Sequence, residues 1–212
     1  MLLNLFKLDL LCYAMGVLVK KHFGIPGLSG MARLSFVLLL AALASSLVDT
    51  IWAVYIDGFV NNAATVGFIS AGLTLISFVS LFFLVPFVEG HSKSRLFAFS
   101  LFLYAITYVL FALNRGLYIF VILAAGATIL MNMKVMAFGI MVRDKSKKNQ
   151  ISRNQGIVYT FTNTAWVVGP LIAGFVADKS GINLVFVLAA VFSFLAFLLF
   201  IVSGIKDNAV KK

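Results

Sequence analysis

Two charged side chains stand where a charge is costly. Asp49 and Lys134 each lie inside an apolar stretch of about twenty residues, and an ionised group in hydrocarbon costs several kcal/mol unless it faces a cavity or a partner. A carboxylate there can exchange a proton or hold a cation, and an ammonium can balance an anion. Each also has a plainer reading. Lys134 can snorkel to the near interface on its long stem, and Asp49 can be satisfied by Ser45, Ser46 or a neighbouring helix. Asp49 falls roughly 6 Å to one side of its helix centre and Lys134 a similar distance to the other side of its own, at 1.5 Å per residue. That offset of about 12 Å argues against direct contact between them.

Other chemistries find little support. His22 and His91 are the only histidines and Cys12 the only cysteine, so the chain carries neither a disulfide nor a Cys/His metal site of its own. No histidine lies in an apolar run, there is no Gly-x-Ser-x-Gly elbow, and no two carboxylates are placed for acid and base work. The expectation is a protein that is not an enzyme and needs no cofactor.

The elements that hold these residues follow from composition. Of 212 residues 62% are apolar and 11% charged, against about 25% charged in a soluble domain. Six runs of 18 to 26 residues stand out: Leu34 to Ile56, Thr65 to Val88, Leu96 to Leu113, Leu117 to Val142, Gly156 to Ala177 and Asn183 to Gly204. Each is long enough to cross about 30 Å of hydrocarbon as a helix, and none alternates as a barrel strand does. The predicted fold is all-α and polytopic: a segment 1–32, a six-helix transmembrane bundle 33–205 and a tail 206–212. The apolar stretch Leu10 to Val19 reads as an interfacial helix or a linker remnant, with a seventh span as the alternative.

The net charge of +10 does not point to nucleic acid once the charges are located. Alternation of six helices puts 14 lysines and arginines on one side and only Arg115 and Lys179 on the other. By the positive-inside rule the richer side, which holds both termini, is cytoplasmic, and the expected location is the cell membrane. The lipid bilayer is then one partner, and an intramembrane charge that faces a cavity would make a small-molecule or ion solute another.

Uncharged residues add two stripes and a loop. In the second run Gly67, Ser70, Ala71, Thr74 and Ser77 recur at helical spacing; in the fifth, Gly156, Thr160, Asn163, Gly169, Pro170 and Gly174 gather small and polar groups near one face. Such stripes serve close helix packing or contact with a solute. Trp52 and Tyr55 near one end of the first run read as interface anchors, notable for their closeness to Asp49. Trp52 and Asn132 are candidates to line a path.

The order Asp144, Ser146, Arg153, Gly156, Asn163, Gly169, Pro170, Gly174, Asp178, Gly181 and Phe186 resembles the fifth and sixth helices of the major facilitator superfamily, or equally its eleventh and twelfth. The family's loop signature, Gly-x-Leu-Ala-Asp-Arg-x-Gly-Arg-x-Arg, aligns on Val85 to Arg95. Glu89, Lys93 and Arg95 keep its acid and two of its bases, while Val85 and Ser92 replace both glycines and Gly90 an arginine. The resemblance covers about 33–205, one six-helix half, and either half fits. It implies secondary transport of a small solute by alternating access, with the first and fourth helices lining the path, as Asp49 and Lys134 would require. It also implies that the second and fifth helices pack against another six-helix half, whether a second copy, a split partner or further sequence. The eroded loop favours the alternative, a non-transporting membrane scaffold or chaperone-like protein.

Overall fold

The computed structural model describes residues 30–146 and 151–205. The readings made for residues 1–29 and for the tail from 206 lie outside them, as do Lys147 and Lys148. Six helices follow one another: α1 Gly30–Val60, α2 Ala63–Gly90, α3 Lys93–Leu113, α4 Leu117–Lys145, α5 Ile151–Ser180 and α6 Ile182–Ser203. Each of the six expected apolar runs lies in its own helix, apart from Gly204, which caps α6 in a left-handed conformation. All six are long and apolar enough to cross a membrane, with mean hydropathy from 1.3 to 3.1.

Short polar connections turn the chain between spans. Asn61 takes a positive φ of 47°, and Asn62 caps α2 by accepting from the amides of Ala64 and Thr65 at 2.9 and 3.2 Å. Ser92 accepts from the Arg95 amide at 3.4 Å to start α3. Between α3 and α4 the Asn114 side chain bonds the backbone of Gly116 in both directions. Gly181, at φ 85°, joins α5 to α6 in a conformation that favours glycine.

In order of packing the helices run α5, α1, α6, α3, α4, α2. Within their most apolar windows 56% of α1 and of α3 is buried, but only 11% of α2 and 17% of α5. The flanking pair thus leaves most of its surface uncovered. Two apolar clusters fill the interior. Toward the Asn114 end, Leu47, Ile51, Ile56, Phe111, Phe120 and Phe186 pack together; toward the Ser92 end, Leu34, Val37, Phe97, Leu101, Met141 and Phe200 do.

Polar side chains stitch the helices across this core. Ser193 Oγ donates to the Leu101 carbonyl at 2.9 Å, joining α6 to α3, and Tyr104 Oη to the Ala127 carbonyl at 2.7 Å, joining α3 to α4. Tyr55, expected as an interface anchor, is instead 7% exposed and donates to the Phe111 carbonyl at 2.8 Å. Ser46 Oγ donates to the Ala165 carbonyl at 3.1 Å. This close approach of α1 and α5 is possible because Gly169 has no side chain, since a Cβ there would fall on Ser46 Oγ.

Gly169→Leu should therefore force α1 and α5 apart and cost about 1–3 kcal/mol of stability, the usual range for overpacking. Thermal unfolding in detergent, followed by helical circular dichroism, checks it. Ser46→Ala combined with Gly169→Ala should lose less than the two single losses added, because the worst overlap, with the serine hydroxyl, is gone while the one with Ser46 Cβ remains.

Candidate functional site

Between α1, α2, α3, α4 and α5 lies a cavity of ≈ 210 Å³ at mid-depth of the bundle. Helical spacing explains its wall. On α1 the residues that line it are Ser45, Val48, Asp49 and Trp52, at i, i+3, i+4 and i+7, which form one face. On α4 they are Ala124, Ala127, Thr128, Met131 and Asn132, again one face, with the two alanines making room. Tyr104, Tyr108 and Phe111 contribute from α3, Ser77 from α2 and Trp166 from α5.

Asp49 is the one formally charged residue among the lining side chains. It is exposed on the uncovered side of α1, and no ion pair or hydrogen bond engages its carboxylate among the described residues. Tyr108 stands near enough to feel its charge. The serines proposed to satisfy Asp49 are committed elsewhere: Ser45 Oγ donates to the Ala41 carbonyl at 3.1 Å, and Ser46 Oγ to those of Leu43 and Ala165.

Lys134 does not snorkel. It is 6% exposed, donates to Ser45 Oγ at 3.1 Å, and its Nζ lies 4.8 Å from the centroid of the Tyr104 ring. The long stem turns inward because hydroxyl and π-face offer the ammonium partners within reach. Lys134 thus sits behind the wall, touching two lining residues without lining the cavity itself. Asp49 and Lys134 form no ion pair, as their vertical offset suggested.

Asn132 is held in place by α2. Its amide donates to the Ser77 carbonyl and Oγ, both at 3.0 Å, and to Ser80 Oγ at 2.8 Å. Trp52, half-buried, stands against Phe111 and Phe120 with ring centroids 5.6 and 5.3 Å away, so it belongs to the cavity wall rather than to an interface belt.

The two small-residue stripes divide. Gly67, Ala71 and Thr74 of α2, and Gly156, Thr160, Asn163 and Gly174 of α5, are exposed, while Ser70 and Pro170 are half-buried. Gly169 is used inside the bundle against Ser46 and is not part of an outward face. Ser77 likewise serves the α2 to α4 contact. In the connecting loop, Glu89 and Arg95 are exposed and Lys93 Nζ caps the Glu89 carbonyl at 2.9 Å.

Sequence reading missed Ser45, Tyr104, Tyr108, Thr128 and Trp166 as lining residues. Tyr104 and Tyr108 carried a signal, because tyrosines favour the interfaces and a pair one turn apart deep in a span calls for polar partners.

The ammonium of Lys134 has no carboxylate within 4.0 Å among the described residues, so it is held at a desolvation cost. Lys134→Met should leave thermal stability equal or higher, whereas Lys134→Ala, which also opens a hole, should lose about 2–4 kcal/mol. Equal losses in both variants would show instead that the contacts of the ammonium outweigh its desolvation.

Comparison with known proteins accords with this architecture. A search of curated proteins returned no match. Among solved structures the chain is similar to the one described as "Crystal structure of peptide transporter POT in complex with sulfate", with a TM-score of 0.64 and 17% identity. The match covers 87% of this chain and 40% of that one, so the chain spans about two fifths of the transporter it resembles. At that identity the likeness is one of fold. The family description "Major Facilitator Superfamily" matches residues 34–212. With most of its length matched and its six helices in the family's arrangement, this chain belongs to the major facilitator superfamily.

Proposed function

We propose that the chain forms one six-helix half of a secondary transporter, which moves a small solute by alternating access around the cavity between α1, α3 and α4. The observation that carries this reading is Asp49: a carboxylate within its span, about one turn from the helix centre, with no ionic partner among the described residues and exposed on the side of the bundle left open by α2 and α5. Facing lipid, it would cost several kcal/mol; facing a cavity closed by a second half, it is a site. Rocking of one half against the other around such a midplane site is how repeat-built transporters alternate access. Asp49 takes the role of proton exchanger or cation holder, and Lys134 positions Ser45 and Tyr104 behind it. No catalytic step is assigned to any residue.

The second half packs on the exposed stripes of α2 and α5. Polar groups such as Thr74, Thr160 and Asn163 are poor surface for lipid and good surface for another helix. The charge imbalance supports a cell-membrane orientation with both termini in the cytoplasm. One feature favours the scaffold reading instead. The loop between α2 and α3 keeps Glu89, Lys93 and Arg95 without its glycines, and Lys93 reaches only a backbone carbonyl.

Uptake decides between them. In vesicles holding the protein with its completing half under an imposed proton gradient, at least one of a broad panel of small solutes should accumulate above protein-free vesicles. Asp49→Asn should lower that uptake at least about tenfold, the equivalent of 1.4 kcal/mol. No accumulation of any solute supports the scaffold, and unchanged uptake in the variant removes Asp49 from the mechanism.

The packing face has its own test. With Cys12 replaced by serine, Ser70→Cys and Asn163→Cys should each cross-link to a second copy or a co-expressed half in membranes. If neither does, the proposed interface is wrong.

A further inference from the structure

Solute chemistry is legible in which polar atoms of the cavity remain uncommitted. Nearly every hydroxyl and amide donor on the wall is already given away. Ser45 Oγ donates to the Ala41 carbonyl, Thr128 Oγ1 to that of Ala124 at 2.9 Å, and Tyr104 Oη to that of Ala127. Ser77 Oγ donates to Asn132 Oδ1 at 3.3 Å, while the Asn132 amide is shared between Ser77 and Ser80. Lys134, the nearby cation, has spent its reach on Ser45 and on the Tyr104 ring from behind the wall. An anion entering here would be repelled by Asp49 and, apart from the neutral indole N–H groups of Trp52 and Trp166, would find mostly donors already given to other acceptors.

The uncommitted group is an acceptor. Asp49 presents a carboxylate with no bound cation among the described residues. Around it the wall is aromatic: Trp52, Tyr108, Phe111 and Trp166 share the cavity. Trp52 packs edge-on to Phe111 and against Phe120, contacts that fix its position before any ligand arrives. One carboxylate in a cavity lined by indole and phenol side chains is the chemistry that suits an organic ammonium: Asp49 would meet the charge, and the aromatic lining the apolar body.

We infer that the solute of this cavity is an organic monocation, its ammonium on Asp49 and its apolar body between Trp52 and Trp166. The inference rests on the transport reading for its purpose but not for its test, because binding is measured without flux.

The chain's two tryptophans both line the cavity, so intrinsic fluorescence reports on it directly. The full chain in dodecyl maltoside micelles is titrated with phenyltrimethylammonium, with its neutral isostere tert-butylbenzene, and with benzoate. The expected result is a saturable change with the cation alone, weakened at least tenfold in Asp49→Asn and partly restored in Asp49→Glu. Saturation by the neutral isostere at equal strength, tighter binding of benzoate, no saturable change with the cation, or an unaffected Asp49→Asn overturns the inference. Should Asp49→Asn fail to fold, the ranking of the three probes on the unmodified chain decides alone. Cation binding without uptake of any panel solute would keep the site and sink the transporter, while uptake of an anion without cation binding would do the reverse.

Discussion

The structure depends on the fact that a hydrocarbon surrounding gives leucine no reason to leave it. Inside lipid an apolar side chain gains little by turning from acyl chains to another helix, so close packing and hydrogen bonds must hold the bundle together. Here that duty falls on a small set of hydroxyls donating to carbonyls of neighbouring helices: Ser46 to Ala165, Ser193 to Leu101, Tyr104 to Ala127 and Tyr55 to Phe111. Each acceptor carbonyl also belongs to its own helix, so the bond is added without opening the backbone ladder. The small residues matter for the same reason. Gly169 lets α5 approach until Ser46 reaches across, a contact that a single methyl group would prevent.

The same constraint shapes the cavity. Donors already spent are not available to a ligand, and most hydroxyl and amide donors of the wall are spent, Tyr104 and Asn132 on a neighbouring helix, Ser45 and Thr128 on their own. Asn132 ties α4 to α2 through Ser77 and Ser80, and Lys134 ties α4 to α1 through Ser45. Asp49 escapes because it lies one turn beyond Ser45, on the part of α1 that no other helix covers. Its freedom follows from the face of α1 it occupies: α5 packs on the face that carries Ser46, and α2 packs mainly on α4. A cavity built by packing thus keeps one charged group without an ionic partner among the described residues.

How much of this was legible in the residues varies with the physics behind each feature. Six helices and their limits follow from apolar run length, because 30 Å of hydrocarbon imposes that length on any span. The lack of contact between Asp49 and Lys134 followed from rise per residue alone. The fate of Lys134 was not legible. Snorkelling and inward turning differ only by whether a hydroxyl and a ring stand within reach, and Ser45 and Tyr104 are brought there by the packing of α1 and α3 against α4. The partner of Gly169 was not legible for a related reason. Sequence reading groups it with Gly174 and Asn163, but it lies with Ala165 and Ala173 on the buried face, about 120–140° around the helix from those two exposed residues. Periodicity names a face and is silent on its partner.

The division between inward and outward use of that stripe bears on how the bundle can move. Gly169, Ser46 and Ala165 lock α5 to α1 midway along both helices, whereas Gly156, Thr160 and Asn163 toward the Ser92 end of α5 touch no other helix closely. A second half docked on the free portion would be coupled through α5 to α1, and so to the segment that carries Asp49 and Trp52. Rocking of that half would change what faces Asp49 without breaking the Ser46 contact, because the locked and the sliding surfaces are different parts of one helix. For a half that works by the proposed alternating access, such a separation would supply a rigid unit that carries Asp49 and a polar, small-residue surface over which a partner could shift.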